Sequence, residues 1–80
     1  MPATDTEPAA TVDARGSACP GPLMDLIGKL RTVDSGAVVV LRSDNEQSLT
    51  DVREWTEESG NELLDVEEAD DHYAFYVEKA

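Results

Sequence analysis

The run Ala37-Val38-Val39-Val40-Leu41 constrains this chain most. An unbroken apolar stretch rich in β-branched residues fits a strand covered on both faces, in the middle of a sheet. Helical patterns lie on either side of it. From Pro20 to Val33 the apolar residues Leu23, Ile27 and Leu30 form one stripe, joined by Leu26, and Asp34-Ser35-Gly36 closes that helix and turns the chain. After the central strand, Ser43-Asp44-Asn45 breaks the run, and Asn45 or Ser48 can cap a second helix that runs to about Ser59. Leu49, Val52 and Thr56 mark its inner face, with Trp55 at the edge. Gly60 is its C-terminal stop.

Three more segments read as strands. Thr11 to Arg15 alternates, with Val12 inward. Leu63, Leu64 and Val66 form another, Asp70-Asp71 a turn, and Tyr73 to Val77 the last, with Tyr73, Phe75 and Val77 on its core face. The order is β-α-β-α-β-β. It predicts an α/β (α+β) two-layer sandwich, a four-stranded sheet with two helices on one face.

The chain has 80 residues, enough for one domain with one modest core. Residues 1–10 carry Ala, Thr, Pro and acids without apolar period and are expected to form a flexible acidic tail, with the domain over 11–80. One cysteine cannot form an internal disulfide, no stretch is long enough to span a membrane, and the N-terminus has no signal-peptide pattern. A cytoplasmic protein without membrane attachment is expected. The net charge of −12 comes from 18 acids and 6 bases spread along the chain. Such a surface repels phosphate backbones, which argues against direct nucleic-acid binding, and it favours a monomer at low salt. It suits a protein that works in concentrated salt, as in a halophile, or simply an acidic mesophile protein.

The segment Asp13-Ala14-Arg15-Gly16-Ser17-Ala18-Cys19-Pro20-Gly21-Pro22 places the cysteine where a strand ends and a helix begins. With Cys19 as the N-cap, Pro20 and Pro22 fall in the first turn, where a missing N–H breaks no helical bond. Gly21 keeps its N–H as a donor toward the sulfur and leaves access open. The positive end of the helix dipole favours a thiolate. Arg15 can add positive potential near the sulfur, contact a partner, or pair with Asp13, itself read as structural. Met24, one turn on, can flank the sulfur, meet a partner, or fill the core. His72, the single histidine, reads as an exposed turn residue. No Cys/His cluster has metal-ligand spacing and no glycine loop fits a phosphate, so no cofactor is expected.

The block from Asp13 through Gly16 to Cys19-Pro20-Gly21-Pro22-Leu23 resembles the signature of the TusA/SirA sulfur-carrier family. Arg42-Ser43-Asp44, Asp51-Val52 with Trp55, and Ser59-Gly60-Asn61-Glu62-Leu63-Leu64 continue the resemblance across residues 11–79. Gly21 departs from it, since that position is often charged or bulkier in the family. The resemblance implies the same β-α-β-α-β-β fold, with a mixed four-stranded sheet and two helices on one face, and a sulfurtransferase-type carrier that holds sulfur as a persulfide on Cys19. The donor would be a cysteine desulfurase or a rhodanese-type protein. The acceptor protein would serve tRNA thiolation, molybdenum-cofactor synthesis or sulfur oxidation. Other readings of the same residues are a regulatory binding module with an incidental cysteine, or a thiol redox sensor.

Overall fold

The computed structural model describes residues 8–16 and 21–80. Among them the chain forms β1 (Ala10–Asp13), α1 (Gly21–Leu30), β2 (Val38–Ser43), α2 (Gln47–Ser59), β3 (Glu62–Glu68) and β4 (Tyr73–Glu78). The expected order holds. The strands make one sheet in the order β1-β2-β4-β3. β1 runs parallel to β2, with Ala10 opposite Val39 and Asp13 opposite Arg42. β2 and β3 both pair antiparallel with β4. The valine-rich run is thus the interior strand β2, and Val38, Val39, Val40 and Leu41 are all buried.

Both helices cover one face of the sheet. Leu26 and Leu30 of α1 and Val52 of α2 pack with Val39, Leu41, Phe75 and Val77 from the sheet. The inner stripe of α1 differs from the one the periodicity suggests. Pro22, Leu26 and Leu30, spaced by four, are buried, while Leu23 and Ile27 are only half-buried. The helix also stops at Leu30, short of Val33. There the Thr32 hydroxyl and the Thr32 N–H both donate to the Lys29 carbonyl, at 2.7 and 2.9 Å, which tightens the last turn and ends the α-helical ladder.

Two strand boundaries are also corrected. β1 starts at Ala10, inside the segment expected to be tail, because the Ala9 N–H already donates to the Val38 carbonyl at 2.8 Å. It ends at Asp13, because Arg15 and Gly16 turn the chain away. The second helix has Asn45 as its working cap. The Asn45 side-chain oxygen accepts the Gln47 N–H at 2.9 Å, whereas the Ser48 hydroxyl is buried against the Ser43 hydroxyl at 2.8 Å. Gly60 closes that helix with φ +83° and its N–H on the Thr56 carbonyl.

β3 carries a bulge. Leu63 pairs with Val77 and Asp65 with Tyr76, so Leu64 is an extra residue. Without it, the period of two would put Leu63 and Val66 on opposite faces; with it, both pack against the core.

The pairing fixes what lies at each end of the sheet. The C-terminal ends of β1 and β2, the start of β4 and the end of β3 share one end. Each helix must return the chain to the opposite end, so both helices begin at that same end. Cys19 follows β1 in the sequence, and the described residues on either side of it, Gly16 and Gly21, lie at that end. Strand β1 enters and β4 leaves at the opposite end, where Lys79 donates its N–H to Ala37 and accepts one from Gly36.

Candidate functional site

The Cys19 loop is defined by its two flanks. Ser17, Ala18, Cys19 and Pro20 lie outside the described residues. On the strand side, the last sheet bond runs from the Ala14 N–H to the Arg42 carbonyl at 2.8 Å, with Ala14 buried. The chain then turns at Gly16, which takes φ +85°, a conformation open to glycine at little cost. The Gly16 N–H donates to Asp44 Oδ2 at 2.9 Å. On the helix side, Gly21 begins α1 and Pro22 is fully buried. A proline at this position loses no helical hydrogen bond and adds apolar contact.

Arg15 and Asp13 form a two-pronged ion pair. Arg15 Nε and one terminal guanidinium nitrogen donate to the two Asp13 carboxylate oxygens, both at 2.9 Å. The Arg15 backbone N–H adds a bond at 3.2 Å. Hydrogen bonding from the Arg15 side chain, helped by its backbone N–H and by the charge of Arg42 across the strand pair, lowers the Asp13 carboxyl to about 2. The pairing with Asp13, one of the roles open to Arg15, is formed. Asp44 and Asp71 also act on the Arg15 guanidinium through their charge, after Asp13.

The β3–β4 hairpin closes this end. The Ala69 N–H donates to the His72 carbonyl at 2.8 Å. His72 is not the exposed turn residue expected: its side chain is 16 % exposed and its Nδ1 meets Asp71 Oδ1 at 2.6 Å. The hairpin folds the ring into a cleft of about 210 Å³ lined also by Asp44, Glu46, Asp70 and Tyr73. The His72 hydrogen bond lowers the Asp71 carboxyl. Met24, with 59 % of its surface exposed, does not fill the core. Among the described residues, no group of three His, Cys, Asp or Glu side chains is placed to hold a metal ion, and no helix is long and apolar enough to cross a membrane.

Asp13, Arg15, Gly16, Gly21 and Pro22 are thus brought to one end of the sheet. Asp44, read in the sequence as a strand breaker and as part of the resemblance but not as a site residue, joins them. A signal for it exists in the parallel pairing. With Asp13 opposite Arg42, the residues just after β2 lie beside those just after β1, and loops at the carboxyl ends of parallel strands commonly build sites.

A mixed four-stranded sheet backed by two helices, with its one cysteine in the loop between β1 and α1, defines a small SirA-like domain. The chain superposes on the crystal structure of a SirA-like protein from Desulfitobacterium hafniense with a TM-score of 0.75 and 26 % identity, over 89 % of this chain and 96 % of that one. Residues 10–79 match the family model described as "Sulfurtransferase TusA", and the chain belongs to that family. It is 46 % identical to a protein of Archaeoglobus fulgidus named "Putative sulfur carrier protein", over 85 % of this chain and 93 % of the relative. A protein of Halobacterium salinarum with the same description is 30 % identical over 94 % of each chain.

Proposed function

We propose that this protein is a sulfur-relay carrier that accepts sulfur as a persulfide on Cys19 and hands it to an acceptor protein. The observation that carries the reading is the place of the single cysteine within the family's domain, in the loop between Gly16 and Gly21. The first turn of α1 contains no acidic residue and its last turn holds Lys29, so its dipole is free to favour negative charge at the N-terminal end.

The step balances without an oxidant. The Cys19 thiolate attacks the outer sulfur of a donor persulfide, R–S–SH. A new S–S bond forms at Cys19, the donor's S–S bond breaks, and R–S⁻ leaves with the electron pair while the proton stays on the outer sulfur. Attack by an acceptor thiolate on that outer sulfur repeats the exchange and regenerates the Cys19 thiolate. Attack is fastest when the thiol pKa lies near ambient pH. With no second cysteine in the chain, the persulfide cannot be resolved internally, and its sulfur leaves to a partner.

The donor in this reading is a cysteine desulfurase or a rhodanese-type protein, and the acceptor serves tRNA thiolation, molybdenum-cofactor synthesis or sulfur oxidation, in the cytoplasm. The test is intact mass without reductant after incubation with a cysteine desulfurase and cysteine, beside Cys19→Ser. Gain of one sulfur atom, removed by reductant and absent from the variant, is expected. No gain with that donor or with a rhodanese and thiosulfate, on folded and alkylatable protein, overturns the reading.

A further inference from the structure

We infer that the outer edge of β1 is a docking edge, where an extended, base-rich segment of a partner protein adds a strand to the sheet. β1 and β3 are the two edge strands, and they differ. β3 is bulged at Leu64 and carries Glu62, Asp65, Glu67 and Glu68, features that keep an edge from pairing. β1 is regular over Ala10–Asp13, with no proline, lysine or bulge. Its one charged side chain, Asp13, is taken on both oxygens by Arg15. The pairing with β2 fixes which main-chain groups point outward. Asp13 stands opposite Arg42, and the Ala14 N–H donates to the Arg42 carbonyl. In a parallel ladder of that register Ala10, Val12 and Ala14 turn their N–H and C=O groups toward β2. Thr11 and Asp13 turn theirs away, and among the described residues no backbone group takes them.

Ala10 and Val12 are half-buried and pack against the core, as Leu23 of α1 does. A strand laid along Thr11 and Asp13 extends that apolar face with every second residue. Its other residues fall on the open face of the sheet, beside the exposed Thr11 and Asp13. Charge selects the occupant. A second copy offers the same edge but brings −12 against −12, whereas lysines or arginines at the open-face positions are drawn in. The outward groups of two residues make a small site, so the field of the whole molecule supplies much of the attraction, and binding weakens as salt rises.

The probe is a short blocked peptide in which Lys and Val alternate, added to the full chain at about 0.15 M salt. The same peptide N-methylated along its backbone keeps the charges and loses the donors. Binding is expected to slow amide hydrogen exchange at Thr11 and Asp13 by about tenfold. It is expected to weaken about tenfold for the methylated peptide and for Thr11→Pro. Proline there removes an outward N–H and no bond to β2. Equal binding of the methylated peptide, or by folded Thr11→Pro, overturns the inference and assigns the attraction to charge alone. Absence of binding overturns it too, as does binding that protects the β3 amides instead. Protection of Thr11 and Asp13 that grows with protein concentration without peptide assigns the edge to a second copy and overturns the partner. The methylated peptide decides alone if Thr11→Pro does not fold. The assay reads no sulfur, so its outcome stands apart from that of the carrier test.

Discussion

Gly16 takes φ +85°, and among the described residues beyond its chain neighbours no atom lies within 4 Å of where a Cβ would stand. The cost of a side chain there is therefore conformational and not steric. Gly16→Ala is expected to lose about 1–2 kcal/mol of stability, the penalty of the left-handed region for an L-residue, measured by urea unfolding. A second residue-scale expectation concerns Asp13, held at about 2 chiefly by the Arg15 side chain. Its folded value lies below its ordinary 3.8, so the pair's stabilisation is fully present above that ordinary value and is lost as pH falls through about 2. An NMR titration of the Asp13 carboxyl carbon should show the low midpoint, and Arg15→Gln should return it toward 3.8. An unchanged midpoint in Arg15→Gln would remove Arg15 as the cause.

At the scale of elements, the bulge in β3 makes a prediction that a regular strand would not. Deleting Leu64 leaves Leu63 opposite Val77 and Val66 opposite Phe75 in an unbroken alternation. The deletion should cost about 1 kcal/mol, against about 3–5 kcal/mol for Phe75→Ala at the centre of the core. Cross-strand NOEs and denaturant unfolding check both, and loss of the Leu63–Val77 pairing would contradict it. The elements themselves were legible wherever burial imposes a period. The valine run of β2, the alternation of β4 and the glycine stop of α2 stand as read, although β2 starts at Val38 and runs on through Ser43, a residue read as breaking it. The bulge was not legible, because two adjacent leucines look the same in a regular strand and in a bulged one. The end of α1 escaped because a threonine hydroxyl competes for its last carbonyls. The inner stripe shifted because Pro22, read as a helix starter, is also a core residue. At the site, the local pair Asp13–Arg15 was within reach of sequence reasoning, two residues apart. The Asp44 bond to Gly16 and the buried side of His72 were not, since each depends on segments that only the folded sheet brings together.

For the whole molecule, charge is the dominant variable. A net charge of −12 on a chain with a radius of gyration of 11.3 Å means acids repel one another across the entire surface. Raising monovalent salt from about 0.1 M to about 1 M shortens the screening length from roughly 10 to 3 Å. The few attractive pairs, such as Arg15 with Asp13, weaken too, but acids outnumber bases 18 to 6, so relief of repulsion prevails. The melting temperature is expected to rise by about 4–8 °C for each kcal/mol gained in a domain this size. A calorimetric scan in sodium or potassium chloride tests it, and a fall in melting temperature would reverse the sign of the argument. Finally, the strand pairing places Ala9 and Lys79 together at the start of β2, the full length of the sheet away from Gly16 and Asp44. A tether attached at either side of that far end, whether a fused domain or a sensor chip, holds the molecule by its foot. The end of the sheet that carries Gly16, Gly21 and Asp44 then faces outward, toward a visiting protein.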